Sequence, residues 1–399
     1  MTSLEEIRKE EEALLFKTYG RYPVAVERGL GSRLWDYDGK EYIDLLAGIA
    51  VTGIGHSHPE ITEVVAGQAG RLIHVSNLFY QKEQISLAKR LLATAHFDKV
   101  FFCNSGAEAN EAAIKLARRY QQRIKNKDAY EVITFEGCFH GRTLATVAAT
   151  GQSRFQDGFA PIPEGFRQIP WGDPALLEAS ITDKTAAVLI EMVQGEGGIR
   201  PVTREYAQSI ARICKDADIL FMADEVQAGL GRTGTWWAFQ HFGIEPDVMT
   251  TAKALANGLP MGAMMAKDAV AAAFVTGSHA TTFGGGALLS TVADKVLEIM
   301  ERDRLLDKAK ELGDWARERF SEIGRKCPGS IAEIRGMGLM IGIELTFPGK
   351  DLWEHLLQEG FIFNLTQGKV LRLLPALTIS KEELELFAQA LEKSLPKFC

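Results

Sequence analysis

What this 399-residue chain lacks narrows the field first. No apolar stretch reaches the ~20 residues a membrane helix needs, so a soluble protein is expected. Cysteine is scarce: Cys103, Cys138, Cys214, Cys327 and Cys399 are scattered, odd in number and without CxxC spacing. That pattern argues against a disulfide framework, and structural thiols in a reducing cytoplasm are the simplest expectation. There is no block of Lys or Arg, and the net charge of −7 speaks against a nucleic-acid partner. No GxxxxGK[ST] occurs, so a P-loop is not supported. A dinucleotide fold is disfavoured in the same way, because no GxGxxG follows an early strand with an acidic residue ~20 positions on. The opening MTSLEEIRKEEEALLF is charged and acidic, unlike a signal or transit peptide. No internal repeat and no disordered linker is evident.

What is present reads as an α/β protein. Residues 4–17 have amphipathic helical spacing, and residues 24–46 suggest a small hairpin or meander around the turn Asp38-Gly39-Lys40. Short runs that are apolar throughout then recur: 100–103, 132–135, 186–190, 219–223 and 263–266. Such runs suit strands covered on both faces, and the helical segments between several of them imply a mostly parallel central sheet. Beyond residue 288 a long helical region, 288–323, precedes strand candidates at 331–335, 339–344 and 370–374, a helix at 351–359 and a last helix capped by Ser380 and Glu383. Three parts are expected: an N-terminal segment 1–55 packing with a small domain, a large domain 56–287, and a small α+β domain 288–399.

The chemistry centres on a lysine. Lys253 lies among small and apolar residues in Thr250-Thr251-Ala252-Lys253-Ala254-Leu255-Ala256-Asn257-Gly258-Leu259-Pro260-Met261-Gly262, 29 positions after Asp224, which ends the run 219–223. Most lysines are simply solvated. A lysine for a Schiff base with a carboxylate to keep a ring nitrogen protonated is, however, what pyridoxal phosphate requires. Asp224 at the carboxyl end of a buried strand stands where open α/β sheets bind ligands. A structural salt bridge, or a metal site shared with Glu225, remains an alternative. Ser105-Gly106-Ala107 passes from strand to helix, where unpaired N–H groups attract phosphate; Ser105 and Glu108 are spaced as a capping box, so an ordinary capped helix fits equally. Phe139 could cover a ring face, or be core. Arg142 could clamp a carboxylate, or form a surface ion pair. Gln227 could donate to a phenolic oxygen, or be a surface residue. His56-x-His58 lacks a third ligand at metal spacing, so no metal site is expected.

Together these motifs resemble the class III aminotransferases, of the aspartate-aminotransferase-like fold type I of pyridoxal-phosphate enzymes. The resemblance spans about residues 15–395 and rests most on Ala223-Asp224-Glu225-Val226-Gln227-x-Gly229-x-Gly231-Arg232-Thr233-Gly234 and the Lys253–Gly262 run. It implies that Lys253 carries the internal aldimine and then shuttles a proton. It further implies that Asp224 binds the ring nitrogen, Phe139 stacks on the ring and Gln227 contacts the phenolic oxygen, while Ser105, Gly106 and Ala107 hold the phosphate. Thr282 would complete the phosphate site of a partner subunit, making a homodimer with shared active sites.

Within the class, Leu46–Val51, Gly55-His56-x-His58-Pro59 and His74–Tyr80 are similar to the acetylornithine branch. That likeness implies transfer of the amino group of N2-acetylornithine to 2-oxoglutarate, yielding glutamate in arginine synthesis. Arg142 would bind the α-carboxylate, and Glu196 would pair with Arg372 until a second carboxylate displaces it. Ile49 and Tyr19 would line the pocket, Ile49 standing where ornithine enzymes usually carry tyrosine. Succinylornithine, 4-aminobutyrate, ornithine or amino-acyl lysine donors, and glutamate-1-semialdehyde aminomutase chemistry, are the alternatives. The chain departs from the family pattern at Gly286-Ala287, usually Asn-Pro, and at Ala376, usually Pro.

Overall fold

The computed structural model describes residues 3–398; Cys399 and the first two residues of the expected N-terminal segment lie outside them. The apolar runs assemble into a seven-stranded sheet with strands in the order Lys99–Cys103, Gly262–Ala266, Val248–Thr251, Leu220–Asp224, Thr185–Glu191, Glu131–Phe135 and Phe166–Ile169. All run parallel except Gly262–Ala266, which is antiparallel to both neighbours. Strand Phe166–Ile169 was not apparent from the sequence, since it is an edge strand with an exposed middle, and Val248–Thr251 was readable only as the strand that leads into Lys253. Gly262–Ala266, Val248–Thr251, Leu220–Asp224 and Thr185–Glu191 are buried at every position, which is why their sequences carry no alternation.

Helix Gly106–Arg123 packs its small-residue face (Ala109, Ala112, Ala113, Ala117) against this sheet. Alanine there lets the helix approach closely enough for its first turn to sit at the carboxyl ends of the strands.

The expected long helix at 288–323 is two helices, Ala287–Arg302 and Leu305–Lys326. The break falls at Arg304, whose φ of +52° interrupts the right-handed path. A second sheet of four antiparallel strands follows in the order Ile331–Met337, Met340–Leu345, Val370–Leu373 and Asn364–Thr366. Helix Lys381–Ser394 starts at the expected box, Ser380 Oγ accepting from the Glu383 N–H and Glu383 from the Ser380 N–H. Near the N-terminus, Val26–Leu30, Arg33–Asp36 and Glu41–Asp44 form an antiparallel meander, extended in parallel by Phe361–Ile362. The N-terminal strands therefore share a sheet with the C-terminal region. The first helix ends at Leu14 rather than 17 and buries none of its residues. Among the described residues no helix is long and apolar enough to cross a membrane.

Candidate active site

The carboxyl ends of strands Lys99–Cys103, Glu131–Phe135, Thr185–Glu191, Leu220–Asp224 and Val248–Thr251 converge on one cavity of about 570 Å³. Its walls include Ser105, Gly106, Ala107, Phe139, Arg142, Glu191, Glu196, Asp224, Gln227 and Lys253. This is the position at which parallel α/β sheets bind ligands, because successive loops leave the strand ends on the same side.

Asp224 is buried within a network. Its Oδ2 accepts from His140 Nδ1 at 2.7 Å and from Asn110 Nδ2 at 2.8 Å, while Oδ1 accepts from the Val226 N–H at 3.0 Å. Asn110 Oδ1 in turn accepts from the Thr250 hydroxyl at 2.7 Å. A carboxylate offers about four acceptor positions, so one remains on Asp224 toward the cavity. Burial opposes a charge on His140, but the Cys138 sulfur and Asp224 outweigh it and hold its pKa well above the ordinary value. Neither His140 nor Asn110 was singled out from sequence. The available signal was spacing: Asn110 is one helical turn beyond Gly106, on the same face. The adjacent Glu225 belongs elsewhere, its two oxygens accepting from the Ala238 and Phe239 N–H groups at 2.9 Å each. A metal shared by Asp224 and Glu225 is thus not what the pair serves.

Lys253 lines the cavity with φ of +46°, a left-handed backbone that is costly for a side chain with Cβ, on the order of 1–3 kcal/mol. It opens the short 3₁₀ turn Lys253–Ala256 directly after strand Val248–Thr251. Burial pushes its amine down to about 8, helped by the Arg372 charge and opposed by Glu196, Asp224 and Glu191.

At the start of helix Gly106–Arg123, Ser105 Oγ accepts from the Glu108 N–H at 3.2 Å. The reciprocal half of the expected capping box is absent. Glu108 reaches one residue further back, accepting from the N–H of Asn104 at 2.7 Å and from its side-chain amide at 2.9 Å. The N–H groups of the first turn beyond the cap remain open to an anion. Gly262 is required beside this turn: a Cβ there would lie 2.4 Å from the Ser105 carbonyl oxygen.

Arg372 and Glu196 form the expected pair, Nη1 donating to Oε1 at 2.6 Å, and Arg372 Nε donates to Asn364 Oδ1 at 2.7 Å. Burial would raise the Glu196 pKa, but Arg372 more than offsets it and holds the carboxyl below its usual range. Arg142 lies at the exposed mouth with its guanidinium 4.1 Å from the Phe155 ring centroid and 5.6 Å from that of Phe139.

Three expected residues are not brought to this cavity by the chain itself. Tyr19 is 74% exposed, Ile49 39% exposed, and Thr282 is exposed on a turn facing outward. Ile49 sits in a run of positive φ angles from Ala47 to Ala50, a left-handed turn after which Val51 reaches the cavity wall. Tyr22 is the tyrosine near the Glu196–Arg372 pair: burial raises it to about 12, and both charges act on it. His56, read above as half of an incomplete metal motif, pairs with Asp44 at 2.6 Å.

The residues present fit pyridoxal phosphate. Gln227 lines the cavity with a side-chain amide that has no hydrogen-bond partner among the described residues, Asp224 retains an acceptor position, and the helix start offers open N–H groups. Known proteins point the same way. An acetylornithine aminotransferase of Methanocaldococcus jannaschii is 45% identical over 96% of this chain and 96% of its own length. Another, from Methanothermobacter thermautotrophicus, is 43% identical over 96% of both. The crystal structure of an ornithine aminotransferase from Toxoplasma gondii superimposes with a TM-score of 0.95 at 30% identity, covering 100% of this chain and 96% of that one. A family model described as aminotransferase class-III matches residues 16–395. A pyridoxal-phosphate enzyme of fold type I, this chain belongs to the class III aminotransferases.

Proposed function

We propose that the protein transfers the amino group of N2-acetylornithine to 2-oxoglutarate, forming N-acetylglutamate 5-semialdehyde and glutamate, as a step toward arginine. The observation that carries this reading is the juxtaposition of a depressed lysine amine, a networked Asp224 and a separable Glu196–Arg372 pair around one cavity. The likeness to acetylornithine aminotransferases supports it.

Pyridoxal phosphate, when bound, supplies the electron sink for the carbon that loses its proton and carries the amino group between the two substrates. Asp224 keeps the ring nitrogen protonated, Phe139 covers the ring face and Gln227 meets the phenolic oxygen. Ser105, Gly106 and Ala107 hold the phosphate. Lys253, whose buried amine loses its proton more readily than an ordinary lysine's, anchors the cofactor and moves the substrate proton. Arg142 takes the α-carboxylate of the donor. The acetylated donor has one carboxylate only, so Arg372 stays neutralised by Glu196 while it is bound. Glutamate and 2-oxoglutarate bring a second carboxylate, which displaces Glu196 and takes the two-pronged guanidinium.

We infer a homodimer in which Thr282 of the neighbouring copy completes each phosphate site. Exposed apolar side chains near that turn, Leu78, Phe79 and Phe283, support this, since exposed patches of that kind mark interfaces. The division at residues 1–55, 56–287 and 288–399 and a cytoplasmic setting belong to the same proposal.

Measuring kcat/KM for acetylornithine, succinylornithine, ornithine and 4-aminobutyrate tests the donor; a preference for free ornithine would refute the acyl reading. Arg372→Leu removes a charge-assisted bond worth about 1.5–3 kcal/mol. Its KM for 2-oxoglutarate should rise about ten- to hundredfold, with a much smaller change for the donor in the same steady-state assay.

A further inference from the structure

One buried carboxylate is unused by the chemistry above. Glu191 ends strand Thr185–Glu191 directly beside Asp224 on the neighbouring strand. Its Oε2 accepts from the Phe139 N–H at 3.0 Å and its Oε1 from the Gly195 N–H at 3.4 Å. These two N–H groups belong to different loops. One presents Phe139 to the cavity; the other is the arm that bears Glu196.

The arm is held at further points. Gln367 Nε2 donates to the Glu196 carbonyl at 2.7 Å, and Arg335 donates to the carbonyls of Gly198 and Ile199 at 2.7 and 3.0 Å. Gln194 Nε2 donates to the Glu136 carbonyl at 2.9 Å, lacing the arm to the Phe139 loop. With its backbone fixed at these points, the arm leaves the Glu196 side chain as the part able to move.

We propose that Glu191 is a positioning residue that ties the ring-covering Phe139 loop to the Glu196 arm, so that the gate for the second carboxylate is registered against the cofactor face. The proposal rests on the aminotransferase reading above. Its chemistry explains why the residue is glutamate. Both partners are donors, so the side chain must accept at both oxygens. A carboxylate does so, whereas a glutamine amide accepts at one end and turns an NH₂ toward the other donor. Burial beside Asp224 pushes the Glu191 carboxyl up to about 7, with His140 and the two N–H groups opposing the rise. A plain core position would not retain so expensive a group.

The test uses full-length holoenzyme and two readouts: KM for 2-oxoglutarate and for acetylornithine, and the visible circular dichroism of bound pyridoxal phosphate per unit absorbance. Glu191→Gln should keep the shorter Phe139 bond and release Gly195. The ratio of the 2-oxoglutarate KM to the donor KM then rises at least fivefold while the dichroic band stays. Glu191→Leu releases both loops, and the band also falls by at least a third. A Gln variant whose ratio stays within twofold of wild type overturns the tie, and so does a Leu variant with an unchanged band. If the Leu variant does not fold, Glu191→Asp, with both acceptors on a shorter stem, is judged by the same band criterion. Wild-type enzyme without saturable dependence on 2-oxoglutarate would instead sink the aminotransferase reading, before any variant is compared.

Discussion

Replacing Lys253 by alanine should lower kcat by at least about four orders of magnitude, because the proposed function gives one side chain two tasks. A positioned proton carrier alone contributes about 10²–10⁴-fold, and the same amine anchors the cofactor covalently. Steady-state turnover measures the first task. Borohydride treatment followed by peptide mass analysis measures the second: cofactor mass should remain on the Lys253 peptide of the wild type and be missing from the variant. Turnover within a hundredfold of wild type would remove Lys253 from its assigned role. The depressed amine also sets a pH dependence. Only the neutral amine is nucleophilic, and burial brings its pKa down to about 8. Capture of pyridoxal phosphate by cofactor-free protein should therefore accelerate about tenfold per pH unit below 8 and level off above it. A profile still rising at pH 10 would mean that burial does not depress this lysine.

Asp224→Asn should reduce kcat by about 10²–10³-fold. The substitution keeps the shape but removes the charge that balances both His140 and a protonated ring nitrogen. Breaking one side of a buried ionic pair costs about 3–5 kcal/mol, and each 1.36 kcal/mol on a barrier is about tenfold in rate. The amide also places an NH₂ either at Oδ2, where both Asn110 Nδ2 and His140 Nδ1 now donate, or at Oδ1, where the Val226 N–H donates, so at least one of these bonds is lost. A variant with more than a tenth of wild-type kcat would show that the carboxylate does not tune the ring.

How much of this site was legible in the chain depended on whether its chemistry is local. Ser105-Gly106-Ala107 announces itself because a strand, a cap and a helix start are consecutive in sequence. Lys253 and Asp224 were readable because Asp224 ends one buried strand and Lys253 comes just past another, so their positions relative to the sheet were implied. The helix break at Arg304 was not, since a single left-handed residue leaves the apolar periodicity on either side intact. Glu108's reach to Asn104 instead of Ser105 was equally hidden, because both geometries satisfy the same spacing.

Other features depend on partners far apart in sequence. Asn110, His140 and Thr250 come from a helix, a loop and a strand, and only the packed sheet brings them onto Asp224. Glu191 reads as the end of an apolar strand until the fold sets the Phe139 and Gly195 N–H groups against its two oxygens. Tyr19 and Tyr22 are three residues apart and indistinguishable by type, yet Tyr22 lies by Glu196 and Arg372 while Tyr19 is largely exposed. By itself, then, the sequence determined the α/β class, the cofactor and the Lys253, Asp224 and Ser105 positions that line the cavity, because buried strands and the turns after them are short-range patterns. The tertiary structure alone decided which groups hold Asp224, how far burial lowers the Lys253 amine and which loops are tied together. Those properties arise from burial and from charges a few ångströms apart, and neither is encoded in any one segment.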